Sequence, residues 1–277
     1  MEIGNTGVGI KEVQKAQLDI LIEFDRICRK NNIKYQLFAG TLLGTIRHKG
    51  FIPWDDDIDV CMLREDYEKF LTVCNKDMKN EYFLQTYNSD PNYIMQFAKL
   101  RKNNTIFLER VTAKCDIHHG VYIDIFPLDD VRPNTLMGDF QQKLLYGLGR
   151  INLTRIKYLC VSADNILQRS ARLAMHYLMK LIPRKLTNYV HRKLFLMFNN
   201  RSNFVSHLTN GASAKRLKKY MMKKNEFYNT IEAEFEGHKF PIPQNYDDVL
   251  RNLFGNYEEL PPLEEQKPHH GIVKIQL

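Results

Sequence analysis

The segment 55–59 reads Asp-Asp-Asp-Ile-Asp and stands directly before an apolar run. Like charges held this close repel one another, so folding alone does not account for four carboxylates in this position. A bound divalent cation would remove the conflict, because hard cations take carboxylate oxygens as ligands and leave positions open for phosphate. The segment therefore predicts metal-dependent chemistry on a phosphate-containing substrate.

Asp57 and Asp59 are the first predicted metal ligands. Residues 57–62 alternate between charged and apolar side chains, which predicts a strand with both aspartates on the same face. Such a pair can chelate Mg²⁺ or Mn²⁺ and still leave room for phosphate oxygens. The alternative is a solvated acidic turn, in which Asp55 and Asp56 only cap the loop.

Asp124 is the third predicted ligand. It lies in residues 121–126, the most strongly apolar strand candidate of the chain. A buried carboxylate is costly unless it is paired or bound to a metal. We expect Asp124 to complete the metal site and to help deprotonate an attacking hydroxyl; a structural salt bridge is the alternative.

Gly40 and Thr41 are predicted to contact phosphate. They follow the short strand candidate 35–38, and Thr41 is placed to cap a helix through residues 42–46. A turn of this kind presents backbone N–H groups and a hydroxyl, both of which suit a phosphate. The simpler interpretation is an ordinary helix cap.

Four cations are predicted to neutralise phosphate oxygens. Arg47 and His48 follow on the helix after Thr41, and Lys99 and Arg101 lie on one face of a predicted strand. A solvated basic face is the alternative for each pair.

Aromatic and histidine side chains provide candidates for binding a head group or an acceptor. Trp54 is the only tryptophan of the chain, and with Tyr122 or Tyr93 it could surround a quaternary ammonium group by cation–π attraction. Packing of the acidic loop onto the core is the alternative role for Trp54. His270, or its neighbour His269, could reach the site from the C-terminal segment.

Composition indicates a soluble cytoplasmic protein. The chain of 277 residues has no apolar stretch near the ~20 residues that a membrane span needs, and its first residues lack the pattern of a signal peptide. Its five cysteines are scattered, which is typical of free thiols in a reducing compartment.

The charge is distributed unevenly. Residues 138–224 hold 18 Lys and Arg against two Asp, a net +16, whereas the rest of the chain holds 22 basic and 30 acidic residues. Such a basic insert favours a polyanionic partner, and its apolar residues at helical spacing favour the inner face of an anionic membrane. A helical subdomain with a solvated basic face is the alternative. Nucleic acid is not expected, because aromatic residues are sparse and no binding motif is present.

The order of elements predicts an α/β catalytic core interrupted by this insert. An amphipathic helix over residues 10–31 precedes the strand, the Gly-Thr turn and the acidic segment. Residues 136–228 are predicted to be helical throughout, and a last helix over residues 245–254 ends at Gly255. We expect a core of residues 1–135, an insert of residues 136–230 that binds acceptor or membrane, and a C-terminal return of residues 231–277.

The residues 40–59 and the run Tyr-Ile-Asp-Ile-Phe-Pro-Leu-Asp at 122–129 resemble the LicD family. That family includes bacterial phosphorylcholine transferases and fukutin-related ribitol-phosphate transferases. The resemblance continues in the C-terminal return, at residues 240–243, 246–250, 254–257, 261–262 and 270. It covers about residues 10–130 and 232–275, and one departure is Asn256, where the family commonly has aspartate.

The resemblance implies a nucleotidyltransferase-type fold with a mixed sheet. It also implies that Gly40 and Thr41 contact phosphate and that Asp57, Asp59 and Asp124 hold the metal. The implied activity is transfer of phosphocholine from CDP-choline to a hydroxyl of a cell-surface glycan, such as lipopolysaccharide or a lipid-linked teichoic acid precursor. The alternatives are transfer of ribitol phosphate, glycerol phosphate or a nucleotidyl group by the same site, and a non-catalytic protein that binds membranes or polyanions.

Overall fold

The computed structural model describes residues 7–162, 165–209, 214–268 and 270–277, which form nine α-helices, eleven strands and three short 3₁₀-helices. The α-helices are α1 (Ile10–Lys30), α2 (Ala39–His48), α3 (Arg64–Asp77), α4 (Leu136–Leu153), α5 (Lys157–Val161), α6 (Ile166–Leu181), α7 (Arg184–Phe195), α8 (Ala214–Lys219) and α9 (Tyr246–Phe254). The strands are β1 (Gln36–Leu37), β2 (Asp59–Leu63), β3 (Tyr82–Gln85), β4 (Ala98–Lys102), β5 (Ile106–Glu109), β6 (Tyr122–Val131), β7 (Phe204–His207), β8 (Met222–Lys223), β9 (Thr230–Phe235), β10 (His238–Pro243) and β11 (Ile272–Gln276). The 3₁₀-helices are Leu196–Phe198, Lys224–Tyr228 and Leu263–Glu265.

A mixed sheet of seven strands forms the centre of the fold. Its order is β1-β2-β6-β4-β3, and β7 and β8 extend it beside β6. β2 and β6 run parallel, and the other neighbours are antiparallel. All ten residues of β6 are buried. The expected α/β core with a mixed sheet is confirmed.

Helix α1 covers this sheet with the apolar face that its sequence periodicity predicts. Val13, Ile20, Phe24 and Ile27 are fully buried, and α1 packs against β4 and β6. Burying one such side chain contributes about 1.5–3 kcal/mol. The helix is therefore a fixed support on which other groups can be positioned.

Strand β6 continues past Pro127, where the sequence predicts that it ends. The N–H of Asp124 donates to the carbonyl of Ile58 at 2.8 Å, so residues 125 and 127 turn their backbone groups to the opposite side. On that side β4 pairs with residues 122–125 and β7 pairs with residues 128–131. Position 127 falls between these two partners, where the N–H that proline lacks is not needed.

The prediction that the basic insert is helical throughout is wrong. The insert also contains the strands β7 and β8. β7 pairs with the second half of β6, and β8 pairs with β7. A run of four residues is too short for periodicity to distinguish a strand from a helix. The insert therefore enters the central sheet and is held there by backbone hydrogen bonds.

The C-terminal return adds a hairpin, a helix and a strand to the core. β9 and β10 form an antiparallel hairpin whose turn residues Glu236 and Gly237 have φ of 49° and 77°. Helix α9 ends at Gly255, with φ 74°, as predicted. β11 pairs with β5 and thereby carries the chain end back towards the sheet.

Two further features are the state of the cysteines and the character of the helices. All five cysteines are free thiols. Among the residues that the structure describes, no helix combines the length and apolar character that crossing a membrane requires.

A buried ion pair fixes the second half of β6. Arg64 Nε and Nη2 donate to the two carboxylate oxygens of Asp129, each at 2.7 Å. We expect Asp129→Asn to lower the free energy of unfolding by about 3 kcal/mol, because the Arg64 charge is then left with its longer ion pair to Glu68, at 3.4 Å. Urea denaturation followed by circular dichroism measures this loss.

The matched control is Asp19→Asn. Asp19 forms one ion pair with Lys102, at 3.0 Å, and its side chain is 46% exposed. An exposed pair contributes less than about 1 kcal/mol. Equal losses in the two variants would contradict the importance of the buried pair.

Candidate active site

Helix α1 holds the acidic loop 55–58 by side-chain hydrogen bonds to its backbone. Gln14 Nε2 donates to the carbonyl of Asp55 at 2.9 Å, and Gln17 Nε2 donates to that of Asp56 at 2.7 Å. Both glutamines are buried, and buried amide donors need partners. This role was not predicted; its signal is two glutamines three residues apart on an otherwise apolar helix face.

Five aspartates converge where β2 begins. Asp59, the first residue of β2, lies opposite Asp124 in the parallel register with β6, so the two side chains share a face of the sheet. Asp55, Asp56 and Asp57 each place one carboxylate oxygen within 4.8 Å of the others. The structure thus brings the three predicted ligands together and adds two further carboxylates.

Two details of the acidic segment differ from the expectation. β2 begins at Asp59 and not at Asp57, because its pairing with β6 starts at Asp59 opposite Asp124, and its pairing with β1 starts at Val60 opposite Leu37. The solvated turn is wrong for Asp55 and Asp56, which are 6% and 0% exposed. The loop is enclosed because it packs between α1 and the start of α2.

The crowded carboxylates perturb one another strongly. Burial, the charge of Asp57 and a hydrogen bond with Asp57 raise the pKa of Asp55 well above its usual range. Burial, together with the charges of Asp57 and Asp124, does the same to the pKa of Asp59. Burial also raises the pKa of Asp124, although the ammonium of Lys99 opposes it. Each shift shows that the ionised form needs compensating positive charge.

This donor set fits a hard divalent cation. Carboxylate oxygens are the ligands that Mg²⁺ and Mn²⁺ prefer, and a cation would compensate the charge that burial leaves here. Asp57 belongs both to the 4.8 Å cluster and to the predicted trio with Asp59 and Asp124. It is therefore the carboxylate best placed to be shared by any metal bound at this position.

Gly40 leaves space for the carboxylate of Asp55 at the start of helix α2. A Cβ at position 40 would lie 2.9 Å from Asp55 Oδ2. The prediction that Thr41 caps this helix is wrong, because α2 already begins at Ala39 with Phe38 as its N-cap. The Thr41 hydroxyl instead accepts the N–H of Asp59 at 2.8 Å. The first turn of α2 and the first residue of β2 are thereby joined.

Lys99 and Arg101 lie on one face of β4, as predicted, opposite Asp124 and Tyr122 of β6. Lys99 Nζ is 2.6 Å from Asp124 Oδ1 and 3.3 Å from the centre of the Tyr122 ring. Arg101 donates to Gln85 Oε1 and to the carbonyl of Gly120, each at 2.5 Å. Lys99 is therefore next to the carboxylates. Arg101 instead connects β4 to Gln85 of β3 and to Gly120.

Arg47 and His48 lie at the other end of helix α2. Arg47 Nη1 donates to the carbonyls of Tyr257 and Glu259, at 3.1 and 3.3 Å, and its Nε lies 3.0 Å from His48 Nε2. The pair thus attaches α2 to the C-terminal return. Their predicted contact with phosphate stays a prediction.

His270 meets the acidic loop through strand pairing of β11 with β5. Its Nδ1 lies 3.0 Å from Asp56 Oδ1, and its Nε2 lies 4.0 Å from both Asp57 Oδ2 and Glu109 Oε1. Burial lowers the pKa of His270, but Asp56, Asp57 and Glu109 outweigh burial and raise it to about 9. These carboxylates therefore favour the protonated form of His270. His269 lies outside the described residues.

Glu109, the last residue of β5, is a site residue that sequence reasoning missed. Its carboxylate accepts a short hydrogen bond from the Tyr122 hydroxyl. Burial opposes ionisation, but Lys99 and His270 lower the pKa of Glu109 overall. Its only sequence signal is a carboxylate at the end of a short apolar strand, which is common on protein surfaces.

Trp54 and Tyr122, the residues of the predicted aromatic cage, are both buried, and their contact with a head group stays a prediction. Trp54 is 9% exposed and packs into the main core. Tyr122 is fully buried, and Lys99 and Arg101 already lie 3.3 and 4.7 Å from its ring centre. The ring therefore binds the protein's own cations. Tyr93 is buried too, but it lines the adjacent cleft.

A cleft of about 590 Å³ runs from the carboxylates to the basic insert. Asp124, Lys99, Glu109 and His270 line its inner end. Its outer walls include Leu145, Asn152, Arg155, Arg184 and Phe195 of the insert. The site is therefore shared between the central sheet and the insert, with apolar and basic surface around one group of carboxylates.

The sequence of this chain is similar to a protein family model and to three other proteins. A family model described as LicD/FKTN/FKRP, nucleotidyltransferase domain, matches residues 32–144. The chain is 33% identical over 270 residues to the lipopolysaccharide cholinephosphotransferase LicD of Haemophilus influenzae, and the alignment covers 94% of this chain and 96% of that protein. Segments of 44 and 37 residues are each 60% identical to uncharacterised proteins of Rickettsia typhi and Rickettsia prowazekii; they cover 16% and 13% of this chain and 14% of each relative.

The alignment with the Haemophilus protein reaches further than the sequence motifs do. Since 94% of the chain is aligned, most of the basic insert is included, although no motif in it was assigned. The match to the family model contains Asp57, Asp59, Asp124, Lys99 and Arg101. The chain therefore belongs to the LicD family, a family of transferases.

Proposed function

We propose that this enzyme transfers phosphocholine from CDP-choline to a hydroxyl group of a cell-surface glycan. The observation that carries the proposal is the convergence of Asp57, Asp59 and Asp124 beside a cleft that ends at Lys99. The 33% identical relative is named as a lipopolysaccharide cholinephosphotransferase, which supports phosphocholine as the transferred group. Lipopolysaccharide or a teichoic acid precursor would be the acceptor.

Asp57, Asp59 and Asp124 would hold Mg²⁺ or Mn²⁺ in this reaction. The ion would supply positive charge to the donor diphosphate. Asp55 and Asp56 stand behind these ligands, where the backbone contacts of Gln14 and Gln17 fix their loop. This support keeps the carboxylates in place despite their mutual repulsion.

The chain's own cations and amides would bind the phosphates. Lys99 lies at the inner end of the cleft and is the cation nearest to Asp124. The first turn of α2, with Gly40 and Thr41, has backbone N–H groups without partners inside the helix, as every helix start does. Arg101 would add charge from the same strand face, and Arg47 and His48 are assigned a contact only as a weaker proposal.

The transfer step needs an activated hydroxyl. The acceptor oxygen forms a bond to the phosphorus of phosphocholine, the bond from that phosphorus to the bridging oxygen breaks, and CMP leaves with the electron pair. Among the three proposed ligands, Asp124 lines the cleft, so we assign it the proton of the hydroxyl. His270, held by Asp56 at the same end, would position the acceptor or the head group.

Asp59→Asn tests the metal site. We expect CMP release from CDP-choline to fall by at least about 100-fold, which corresponds to roughly 3 kcal/mol of transition-state stabilisation. The folded-state pKa of Asp59 is raised, so its ionisation at neutral pH costs stability when no cation is bound. In metal-free protein the variant should therefore melt at a higher temperature than the wild type, and its melting temperature should no longer rise with Mg²⁺.

Asp139→Asn is the matched control, because Asp139 is an exposed aspartate in the first turn of α4. It should keep both activity and the Mg²⁺-dependent rise in melting temperature. Full activity of Asp59→Asn, or an unchanged response to Mg²⁺, would overturn the proposed ligand set.

Gly40→Ala tests the space beside Asp55. The new Cβ would meet Asp55 Oδ2 at 2.9 Å, closer than such contacts normally approach, so the carboxylate must move. We expect activity to fall roughly tenfold while the melting temperature changes little, since alanine favours a helix. Gly147→Ala in α4 is the control, because a Cβ there meets nothing within 4 Å; equal activity in the two variants would contradict the role of Gly40.

The choice of donor can be measured with purified CDP-alcohols. We expect CMP release from CDP-choline to exceed release from CDP-ribitol and CDP-glycerol, with a glycan fraction as the acceptor. A preference for CDP-ribitol or CDP-glycerol would leave the proposed site unchanged and would assign a different head group to the donor. Asn256, which stands where the family commonly has aspartate, makes this comparison of donors worthwhile. No release from any of the three donors would contradict the proposed reaction.

A further inference from the structure

Helix α6 of the insert turns an apolar stripe to solvent. At about 100° per residue, the stripe occupies roughly 80° of the helix surface. It consists of Leu167, Ala171, Ala174, Leu178 and Leu181, all of them exposed. The three leucines are 78%, 50% and 80% exposed. The buried residues of α6 are His176 and Met179, so the helix is anchored on one side and its leucines face away.

Neighbouring helices of the insert expose large apolar side chains as well. Met137 and Phe140 of α4 are about half exposed, as are Leu186 and Tyr189 of α7. Helix α4 packs against both α6 and α7. Isolated apolar residues are ordinary on a protein surface, but a leucine stripe on α6 together with exposed apolar residues on two neighbouring helices indicates a surface that binds something apolar.

Two lysines are paired with tyrosines on these helices. Lys180 Nζ lies 5.2 Å from the ring centre of Tyr177, which borders the leucine stripe of α6. Lys193 Nζ lies 5.5 Å from the ring centre of Tyr189 on α7. An aromatic ring with a lysine above it combines an apolar body with a charged end, which suits the boundary between lipid tails and head groups.

The charge of the insert selects the kind of partner. Residues 138–224 carry a net +16 while the rest of the chain is negative. A second copy of the chain would present the same positive surface and be repelled. Nucleic acid would use the cations but not the leucine stripe. An anionic lipid surface uses both.

We infer that the outer face of the insert, centred on the leucine stripe of α6, binds the surface of an anionic lipid bilayer. The leucines enter the head-group boundary, and Lys180 and Lys193 contact the lipid phosphates. This binding does not depend on the proposed transfer reaction, because it uses none of the residues assigned to the cleft.

Vesicle sedimentation tests the inference without any turnover. The wild-type protein should sediment with vesicles of phosphatidylcholine and phosphatidylglycerol, and stay in the supernatant with phosphatidylcholine alone. The double variant Leu178→Gln/Leu181→Gln should bind roughly tenfold more weakly, because less apolar area enters the bilayer. Lys180→Glu/Lys193→Glu should lose at least about tenfold through charge.

Matched double variants outside the insert serve as controls. Leu260 and Leu263 are 57% and 85% exposed, so Leu260→Gln/Leu263→Gln should sediment like the wild type. Lys239→Glu/Lys274→Glu changes the charge equally at exposed positions and should weaken binding much less than the Lys180 and Lys193 pair. Circular dichroism verifies that each variant is folded.

Three results would overturn the inference. If the wild-type protein stays in the supernatant with anionic vesicles, the insert does not bind an anionic bilayer. If Leu178→Gln/Leu181→Gln binds vesicles as tightly as Leu260→Gln/Leu263→Gln, the leucine stripe does not contribute and charged residues elsewhere account for the binding. A wild-type dimer in light scattering that Leu178→Gln/Leu181→Gln converts to a monomer assigns the stripe to a second copy of the chain.

Discussion

The mutual repulsion of five clustered aspartates, of which Asp55, Asp56 and Asp124 are buried, is the constraint on which the rest of the site depends. Asp55, Asp56 and Asp57 lie within one cluster, and Asp59 and Asp124 face each other across the only parallel strand pair in the described sheet. Such a group is stable only if its backbone is held and its charge is compensated. Residues from distant parts of the chain hold the backbone and compensate part of the charge. The fold around the site therefore counteracts an electrostatic cost that the function imposes.

Compensation comes from cations on different elements. Lys99 on β4 lies 2.6 Å from Asp124, and His270 lies 3.0 Å from Asp56. Each occupies one carboxylate and leaves Asp57 and Asp59 without a charge partner at that distance among the ion pairs of the described residues. These two are therefore the carboxylates that a bound cation would most relieve. The protein's own charges thus leave Asp57 and Asp59 as the position at which the proposed cation would bind.

Local features of the fold could be predicted from the sequence, and long-range ones could not. Helix α1 has a strong 3.6-residue period, helix α9 has Gly255 at its end, and the apolar residues after Asp59 predict the buried strand β2, although the predicted strand also includes Asp57. Strand β7, the passage of β6 through Pro127 and the contact of Glu109 with Tyr122 depend on which segments become neighbours. Gln14 and Gln17 show the same limit, because their hydrogen-bond acceptors are backbone carbonyls in a loop about 40 residues away. A single sequence records such partners only as unremarkable polar residues.

Strand β6 connects the two activities that the chain would combine. Its first half carries Asp124 at the inner end of the cleft, and its second half pairs with β7 of the basic insert. At about 3.3 Å per residue, the seven steps from residue 124 to residue 131 span roughly 23 Å. A buried strand of this kind bends little, so the distance between Asp124, the proposed catalytic carboxylate, and the insert is set by the sheet. An insert lying on a bilayer would therefore hold the cleft at a fixed height above it, where the hydroxyl of a lipid-linked glycan could reach Asp124 without a change in the core.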